Sequence, residues 1–362
     1  MTATVHASAE DLDEQLEVTG GVDTHLDCHV AAVLDHRGVE LATKAFPTDR
    51  AGHQALLAWM TSFGTVAVIG VEGTGSYGAG LARFLAAEGV ALVEVNRSNR
   101  QLRRRHGKSD PLDAVAAARA AQSGTATGHA KGRDGTVEAI RVLRVARRSA
   151  RTDRVRAINQ LKGLVATAPD ELREPLRRLG RRQLVATCKA FRPGEDLSPV
   201  AATKYALRLL AQRVTRLETE LEDLDEQLQA LVEAAASALL AEHAVGTDTA
   251  GALLVAAGDN PKRLRSEAAF AQLCGVAPLP ASSGRVVRHR LNRGGDRQAN
   301  AALWRIVLIR LRTHQPTREY VQRRTAEGLS KAEIMRCLKR YVARELFPLI
   351  RDALTGAGQV VS

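Results

Sequence analysis

The stretch Gly107 to Ala118, GKSDPLDAVAAA, sets Asp110 and Asp113 three residues apart at the start of a predicted helix, with Pro111 at a first-turn position that suits it. That spacing places both carboxylates on one helix face. The helix dipole favours their ionised forms, so the pair can hold a hard divalent cation. A bare D-x-x-D is usually a cap and a solvated first turn. Here it has company, because Asp23 and Glu72 stand at the ends of predicted strands upstream. Four carboxylates converging on one point repel one another unless a cation is present. Two Mg²⁺ ions about 3.5–4 Å apart are the usual solution, and they serve phosphodiester chemistry by stabilising the attacking and leaving oxygens.

Strand-end acids are common, so the reading depends on the elements that carry them. Glu17–Asp23, His29–Leu34 and Val39–Phe46 read as a three-strand meander. Thr48 and Asp49 can cap a helix running to about Phe63. Thr65–Val71 is a continuous apolar run, predicted to be buried on both faces in mid-sheet. GTGSYGAG then turns the chain into a helix to about Glu88, and Val90–Val95 reads as another buried strand before the helix of Asp110. This order matches an α/β ribonuclease-H-like fold, a mixed sheet with helices on both faces, in which Asp23 ends the first strand and Glu72 the fourth. GTGSYG lacks the Lys-Ser/Thr of a nucleotide loop and the spacing of a dinucleotide fingerprint, so it is read as a turn. His25, Cys28 and His29 form a compact H-x-x-C-H, but no second ligand pair follows and the set overlaps a strand, so no metal site is expected there.

With 362 residues and 45% apolar content, the chain is long enough for two or three globular domains. No apolar run reaches the length of a bilayer span and the N-terminus is polar and acidic, so a cytoplasmic location is expected and a membrane partner is not. Four scattered cysteines, none in C-x-x-C spacing, read as reduced thiols. The formal charge of +12 is concentrated: Lys131–Arg192 holds 17 Lys and Arg against 6 Asp and Glu. A solvated helical surface usually mixes signs, so a nucleic-acid backbone is the better partner. Aromatics make up only 3% of the chain, which favours contacts to phosphates over stacking platforms. The candidate contacts are Arg97, Arg100, Arg103, Arg104, Arg105 and Lys108 ahead of the acidic helix, Arg147, Arg148 and Arg151 in the basic segment, and Arg285, Arg288, Arg290 and Arg293 further on.

From about Gly135 the pattern turns helical. Leu207, Leu210, Val214, Leu217, Leu221, Leu224, Leu228 and Leu231 repeat at alternating spacings of three and four, a coiled-coil seam open to a second copy or to the Arg-rich helices of the same chain. HAVGTDTAGALLVAAG has the look of a helix-hairpin-helix, whose glycine turn can present backbone N–H groups to a phosphate, or of a plain helix cap. Pro280–Arg297 surrounds Ser282 and Ser283 with arginines, a setting suited to a phosphodiester. Ser330 and Glu333 make a capping box ahead of an apolar face of Ile334, Leu338, Tyr341, Val342 and Leu346.

GVDTHLDCHVAAVLD, VEGTGSYG, VNRSNRQLRRRHGKSDPLDA and LCGVAPLPASSGRVVRHRLNRGGDRQANAAL together resemble the DEDD transposases of IS110-type insertion sequences, relatives of the Piv-type DNA invertases. The resemblance runs from about Gly20 to Phe347. It implies a RuvC-like N-terminal domain with Asp23, Glu72, Asp110 and Asp113 as Mg²⁺ ligands, then a helical coiled-coil segment and a mainly α C-terminal transposase domain. It also implies Ser283 as nucleophile, with Ser282 second. A serine hydroxyl needs activation, for which His289 is the local base and the metal-bound carboxylates of the same or a partner subunit are the other source. Family members commonly have a lysine where this chain has Leu26, a departure that leaves the quartet intact. The expected partners are double-stranded donor and target DNA, a structured bridge RNA, and further copies of the chain as a dimer or tetramer. The expected divisions are a disordered tail over 1–15, a catalytic domain over 16–128, a basic coiled-coil domain over 129–240, a transposase domain over 241–355 and a tail over 356–362. Two other functions fit the same residues: a metal-dependent nuclease or junction resolvase that uses water, and a non-enzymatic nucleic-acid-binding protein whose acids are structural.

Overall fold

The structure is a computed structural model that describes residues 16–95, 109–193, 198–260, 264–282 and 289–356. The chain divides into two compact units. One comprises residues up to Asp134 with Ala257–Ser266; the other comprises Gly135–Ala256 and the chain from Glu267 onward.

The first unit is the mixed sheet that the strand pattern predicts. β1 (Glu17–Thr24), β2 (Cys28–Leu34) and β3 (Glu40–Pro47) form an antiparallel meander. α1 (Arg50–Thr61) leads to β4 (Thr65–Glu72), and α2 (Ala79–Ala87) to β5 (Leu92–Val95). The sheet order is β3-β2-β1-β4-β5, with β4 parallel to β1 and β5 parallel to β4, the ribonuclease-H-like arrangement. The Asp49 carboxylate caps α1 by accepting from Gly52 N–H at 2.7 Å. One face of the sheet packs Val18, Val22, Val33, Ile69 and Val71 against Leu56, Met60, Leu81 and Leu85 of α1 and α2. The other face carries α3 (Asp110–Gln122), whose Ala114, Val115 and Ala118 meet Val30, Ala32 and Leu34. Burial of β4 is narrower than its apolar run predicts. Ile69, Gly70 and Val71 are buried, whereas Thr65 and Ala67 are exposed, because the strand pairs with only four-residue β5 on its outer side.

α3 lies close enough to the sheet to exclude a side chain beneath it. A Cβ on Gly21 would stand 2.2 Å from the Ala114 carbonyl oxygen, and one on Gly70 would stand 2.4 Å from that of Ala117. These two glycines are register partners on β1 and β4, so together they form a floor on which the helix backbone rests.

The second unit is helical. α4 (Thr136–Ala166) and α7 (Pro199–Leu240) are its long members, with α5 (Asp170–Leu176) and α6 (Arg181–Ala190) between them. Leu161 clusters with Leu207, Ala157 and Ile158 cluster with Val214, and Arg147 pairs with Asp225, so α4 and α7 run antiparallel. The heptad seam is thus engaged within the chain: Leu207, Val214, Leu221 and Leu228 are buried, while Leu210, Leu217, Leu224 and Leu231 are half-buried. α8 (Thr247–Ala257), α9 (Glu267–Leu273), a two-residue hairpin of β6 (Leu279–Pro280) and β7 (His289–Arg290), α10 (Arg297–Thr313), α11 (Gln315–Ala326) and α12 (Lys331–Gly356) complete it. No described helix is long and apolar enough to cross a membrane.

An ion pair inside this bundle gives a stability prediction. Arg310, 4% exposed, donates to both Glu345 oxygens at 2.7 Å and through Nε to the His243 carbonyl at 3.0 Å. The hydrogen bonds from Arg310 hold the Glu345 carboxyl below its ordinary range. A depressed folded pKa contributes stability above the unfolded value, about 4.3, that is lost as pH falls through the folded value. Glu345→Gln is therefore expected to cost about 2 kcal/mol at neutral pH, since Glu345 remains 44% exposed and water takes up part of the loss. Urea denaturation should show the two proteins converging in stability below about pH 4.

Candidate active site

Asp23 is the hub. It lies near the end of β1, opposite Val30 of β2 and one residue beyond the Val22–Val71 partnership with β4. That register sets Asp23 beside Glu72, and the Thr24 hydroxyl donates to the Glu72 carbonyl at 2.8 Å, pinning the two strand ends together. Side chains alternate along a strand, so Asp23 and Glu72 share the face of Gly21 and Gly70, which is the face of α3. Directly after Glu72, Gly73 (φ 76°) turns the chain away. The Thr74 hydroxyl donates to Glu94 at 2.6 Å, and Ser76 N–H donates to the Gly73 carbonyl at 2.8 Å. GTGSYG is a connecting turn, as its spacing predicts.

The glycine floor brings the N-terminus of α3 to this corner, with Asp110 and Asp113 in its first turn and Asp113 buried. Asp23, 7% exposed, has its carboxyl pushed up first by burial and then by the charges of Asp113 and Asp110, against the pull of His25. His25 Nε2 lies 3.2 Å from Asp23 and 3.4 Å from Asp110. Among the described residues, Asp23, His25 and Asp110 are a set that can offer one ligand atom each, all within 4.8 Å of one another. Glu72 and Asp113 are not in that tightest set. Glu72 is beside Asp23 through the backbone, and Asp113 is felt there through its charge.

His25 was missed in the sequence because its residue type drew attention to H-x-x-C-H. The usable signal was alternation, since His25 follows directly on β1 and residues two apart in extended backbone point to the same side. The other histidine of that motif belongs to the core. His29 stacks on His53 with ring centroids 5.5 Å apart, and burial pushes its pKa down to about 4.

One imidazole between carboxylates cannot balance three or four of them, and oxygen-rich donors suit a hard divalent cation. The donor set therefore fits a hard divalent cation, with Asp23 and Asp110 as the carboxylates placed to hold it and His25 beside them.

In the second unit, the base of the serine loop is fixed by amides. Asn292 donates to the Gln272 carbonyl at 3.1 Å, and Asn300 donates to the Cys274 carbonyl at 2.9 Å. The Asp296 carboxylate caps α10 by accepting from Gln298 and Ala299 N–H. These residues lie in the LCGVAPLP and NRGGDRQAN stretches, which here do structural work. Ser282 is exposed. Ser283, Arg285 and Arg288 lie outside the described residues, as do Arg97, Arg100, Arg103, Arg104, Arg105 and Lys108.

Arg148, Arg151, Arg290 and Arg293 are exposed, as phosphate contacts require. Arg147 is differently placed. It pairs with Asp225 and lies 3.5 Å from Asp248. Asp248 also binds Arg144 at 2.6 Å and pairs with Arg305. Asp248 sits in the first turn of α8, so the glycine turn expected to offer a helix N-terminus to a phosphate carries its own anion beside it.

A model of the DEDD transposases of IS110 type, described as "Transposase", matches residues 20–168, the sheet and α3 included. A second, described as "Transposase IS116/IS110/IS902 family", matches residues 236–322, the stretch that contains the serine loop. The insertion element IS110 uncharacterized 43.6 kDa protein of Streptomyces coelicolor is 30% identical over 146 residues, 40% of this chain and 36% of that protein. The insertion element IS900 uncharacterized 42 kDa protein of Mycobacterium paratuberculosis is 29% identical over 163 residues, 44% of this chain and 40% of that protein. The match thus spans well under two thirds of either relative. With the acidic corner in the first matched segment and the arginine-flanked serine loop in the second, the chain belongs to the IS110 family of transposases.

Proposed function

We propose that the chain is a site-specific DNA recombinase of a mobile element, cutting and rejoining strands through a covalent serine intermediate. The observation that carries this reading is the convergence of Asp23 and Asp110 with the charge of Asp113 at one corner of the sheet. Mg²⁺ bound there supplies charge stabilisation to a phosphodiester in the transition state. The Ser283 hydroxyl attacks phosphorus, forming an Oγ–P bond and breaking the bond to one deoxyribose oxygen. The serine proton passes to a base, for which His289 on β7 is the candidate, and the freed oxygen takes up a proton. A deoxyribose hydroxyl later attacks the same phosphorus and releases the serine.

A structured bridge RNA, as the family resemblance implies, chooses the DNA sites, and the exposed Arg148 and Arg151 of α4 belong to the surface that holds it. Strand exchange calls for several subunits. The half-buried row of Leu210, Leu217, Leu224 and Leu231 is the apolar surface left for a second copy in a cytoplasmic dimer or tetramer.

Trapping tests the chemistry. Full-length protein, Mg²⁺, a plasmid carrying the element's ends and a transcript of the adjoining non-coding DNA should give a protein–DNA adduct that survives denaturation. Peptide mass spectrometry should place the nucleotide remnant on Ser283. Nicked plasmid without adduct would leave the water-using nuclease, and a remnant on Ser282 would move the nucleophile by one residue.

A further inference from the structure

α12 was expected to bury Tyr341 with Ile334, Leu338, Val342 and Leu346. Those four are buried, but Tyr341 is 47% exposed. The buried stripe drifts around the helix toward Ala343, Phe347, Ile350 and Leu354, leaving Tyr341 at its edge. There it lines a groove of about 770 Å³ between α12 and the hairpin that brackets the serine loop, with His289 and Arg290 of β7 on the opposite wall.

This groove is strongly basic. Arg336, Arg340 and Arg344 recur every four residues along α12, so they form one stripe facing Arg290. Arg340 is partly compensated by Glu267 at 2.9 Å, and Glu267 is 3.9 Å from Arg344. Glu333, also on the wall, accepts from Ser330 N–H and hydroxyl in the capping box. Among the described residues, neither Arg290 nor Arg336 has a carboxylate within 4 Å, although the charge of Arg336 is felt by Glu333 on the same wall. Beside them is a concentration of aromatic and cationic planes. Tyr341 meets Tyr320 edge-to-face with centroids 5.4 Å apart, Arg344 lies 5.6 Å from the Tyr341 ring centre and Arg323 lies 5.4 Å from that of Tyr320. One of the chain's four tyrosines, Tyr341, thus lines this basic groove with a second, Tyr320, packed against its ring, although aromatics are sparse overall.

A positive groove combined with aromatic faces is the arrangement that tracks an unpaired polynucleotide, phosphates to the arginines and a base to the ring. Its volume falls within the range of about 300–1,000 Å³ that takes a small organic ligand, a size that matches one or a few unstacked nucleotides. We propose that this groove binds an unpaired DNA segment, with Arg290 and Arg336 on phosphates and Tyr341 stacked against a base. It would be the strand adjoining the bond that the serine loop cuts. The choice of DNA over RNA rests on the shared hairpin wall and therefore on the function proposed above. The positioning role of Tyr341 and Arg336 is new to that reading.

The test is binding without chemistry. Fluorescence anisotropy of full-length protein in EDTA, with labelled single-stranded DNA of about ten nucleotides, separates the groove from cleavage. Arg336→Ala/Tyr341→Ala is expected to weaken this binding about tenfold or more, the size of one lost stacking contact plus one phosphate contact. The salt slope should fall by about 0.7 for the arginine. Tyr341→Phe should bind as the unsubstituted protein does, because stacking does not need the hydroxyl. Both replaced side chains are exposed or line the groove, and circular dichroism should confirm that the fold is kept. Affinity for a duplex of the same sequence should not change. An equal loss for duplex, no loss for single strand, or a stronger and equally sensitive response to single-stranded RNA would each overturn the proposal. Serine adducts formed by a protein indifferent to these substitutions would sink the groove and leave the recombinase standing. Groove binding without any adduct would do the reverse.

Discussion

Asp23→Asn is expected to lower DNA cleavage by at least about a thousandfold while leaving the first unit folded. The substitution keeps the shape of the side chain and removes the charge on which the corner is centred. Asp23 is 7% exposed, with His25 3.2 Å away and the charges of Asp110 and Asp113 pressing on it. In a water-poor site, losing one electrostatic contact to the transition state costs about two to three powers of ten in rate. Asp23 is also one of the groups that would hold the proposed cation, and its loss as a ligand would add to that. Two readouts besides rate separate this from a structural role. In the parent protein, Mg²⁺ bound to the folded state should raise the melting temperature by mass action, and Asp23→Asn should abolish most of that rise. In EDTA, Asp23→Asn should melt no lower than the parent, because one of several crowded like charges has gone. A non-enzymatic protein with structural acids predicts the opposite pair, a lower melting temperature and no turnover to lose.

Much of this corner was legible in the sequence because its elements are locally consistent. The meander, the apolar strand ending at Glu72, the turn at Gly73 and the proline-marked start of α3 each carry signals within a few residues, and strand order follows from connection lengths. Asp23 and Glu72 could be placed at strand ends from those signals alone. What escaped depends on packing across the chain. Alternation places His25 beside Asp23, but only the descent of α3 brings Asp110 within 3.4 Å of it. Arg147 looked like one more phosphate contact among α4's arginines. Its pairing with Asp225 and Asp248 is decided by where α7 and α8 lie. Tyr341 fits the helical period of an apolar face, and periodicity cannot foresee that the face rotates along α12. The heptad seam was equally open to a second copy and to α4, since burial of leucine is non-directional and names no partner.

Gly21→Ala should show how strictly the corner depends on its floor. In most strand interiors, alanine in place of glycine is neutral or stabilising, because it restricts the unfolded chain and φ is already permitted. The backbone at Gly21 is not in the left-handed region, so conformation does not object. Space does: the added Cβ would fall 2.2 Å from the Ala114 carbonyl oxygen and 2.3 Å from the Ala118 nitrogen, both in the backbone of α3. No rotamer change relieves a clash with a helix backbone, so α3 must lift or tilt. Overpacking of this kind costs about 1–3 kcal/mol where a core can adjust, and more where it cannot. A cost of about 3 kcal/mol or more in urea denaturation is therefore expected. Because Asp110 and Asp113 ride on the displaced helix, whatever protein still folds should have lost its Mg²⁺-dependent rise in melting temperature. Gly89→Ala provides the contrast. Its φ of 72° makes alanine strained, but nothing lies within 4 Å of the added atom, so a loss of about 1–2 kcal/mol with the Mg²⁺ response intact is expected. If both substitutions reduced stability alike and left the Mg²⁺ response alike, the position of α3 would not control the site, and the acids on it would not act with Asp23.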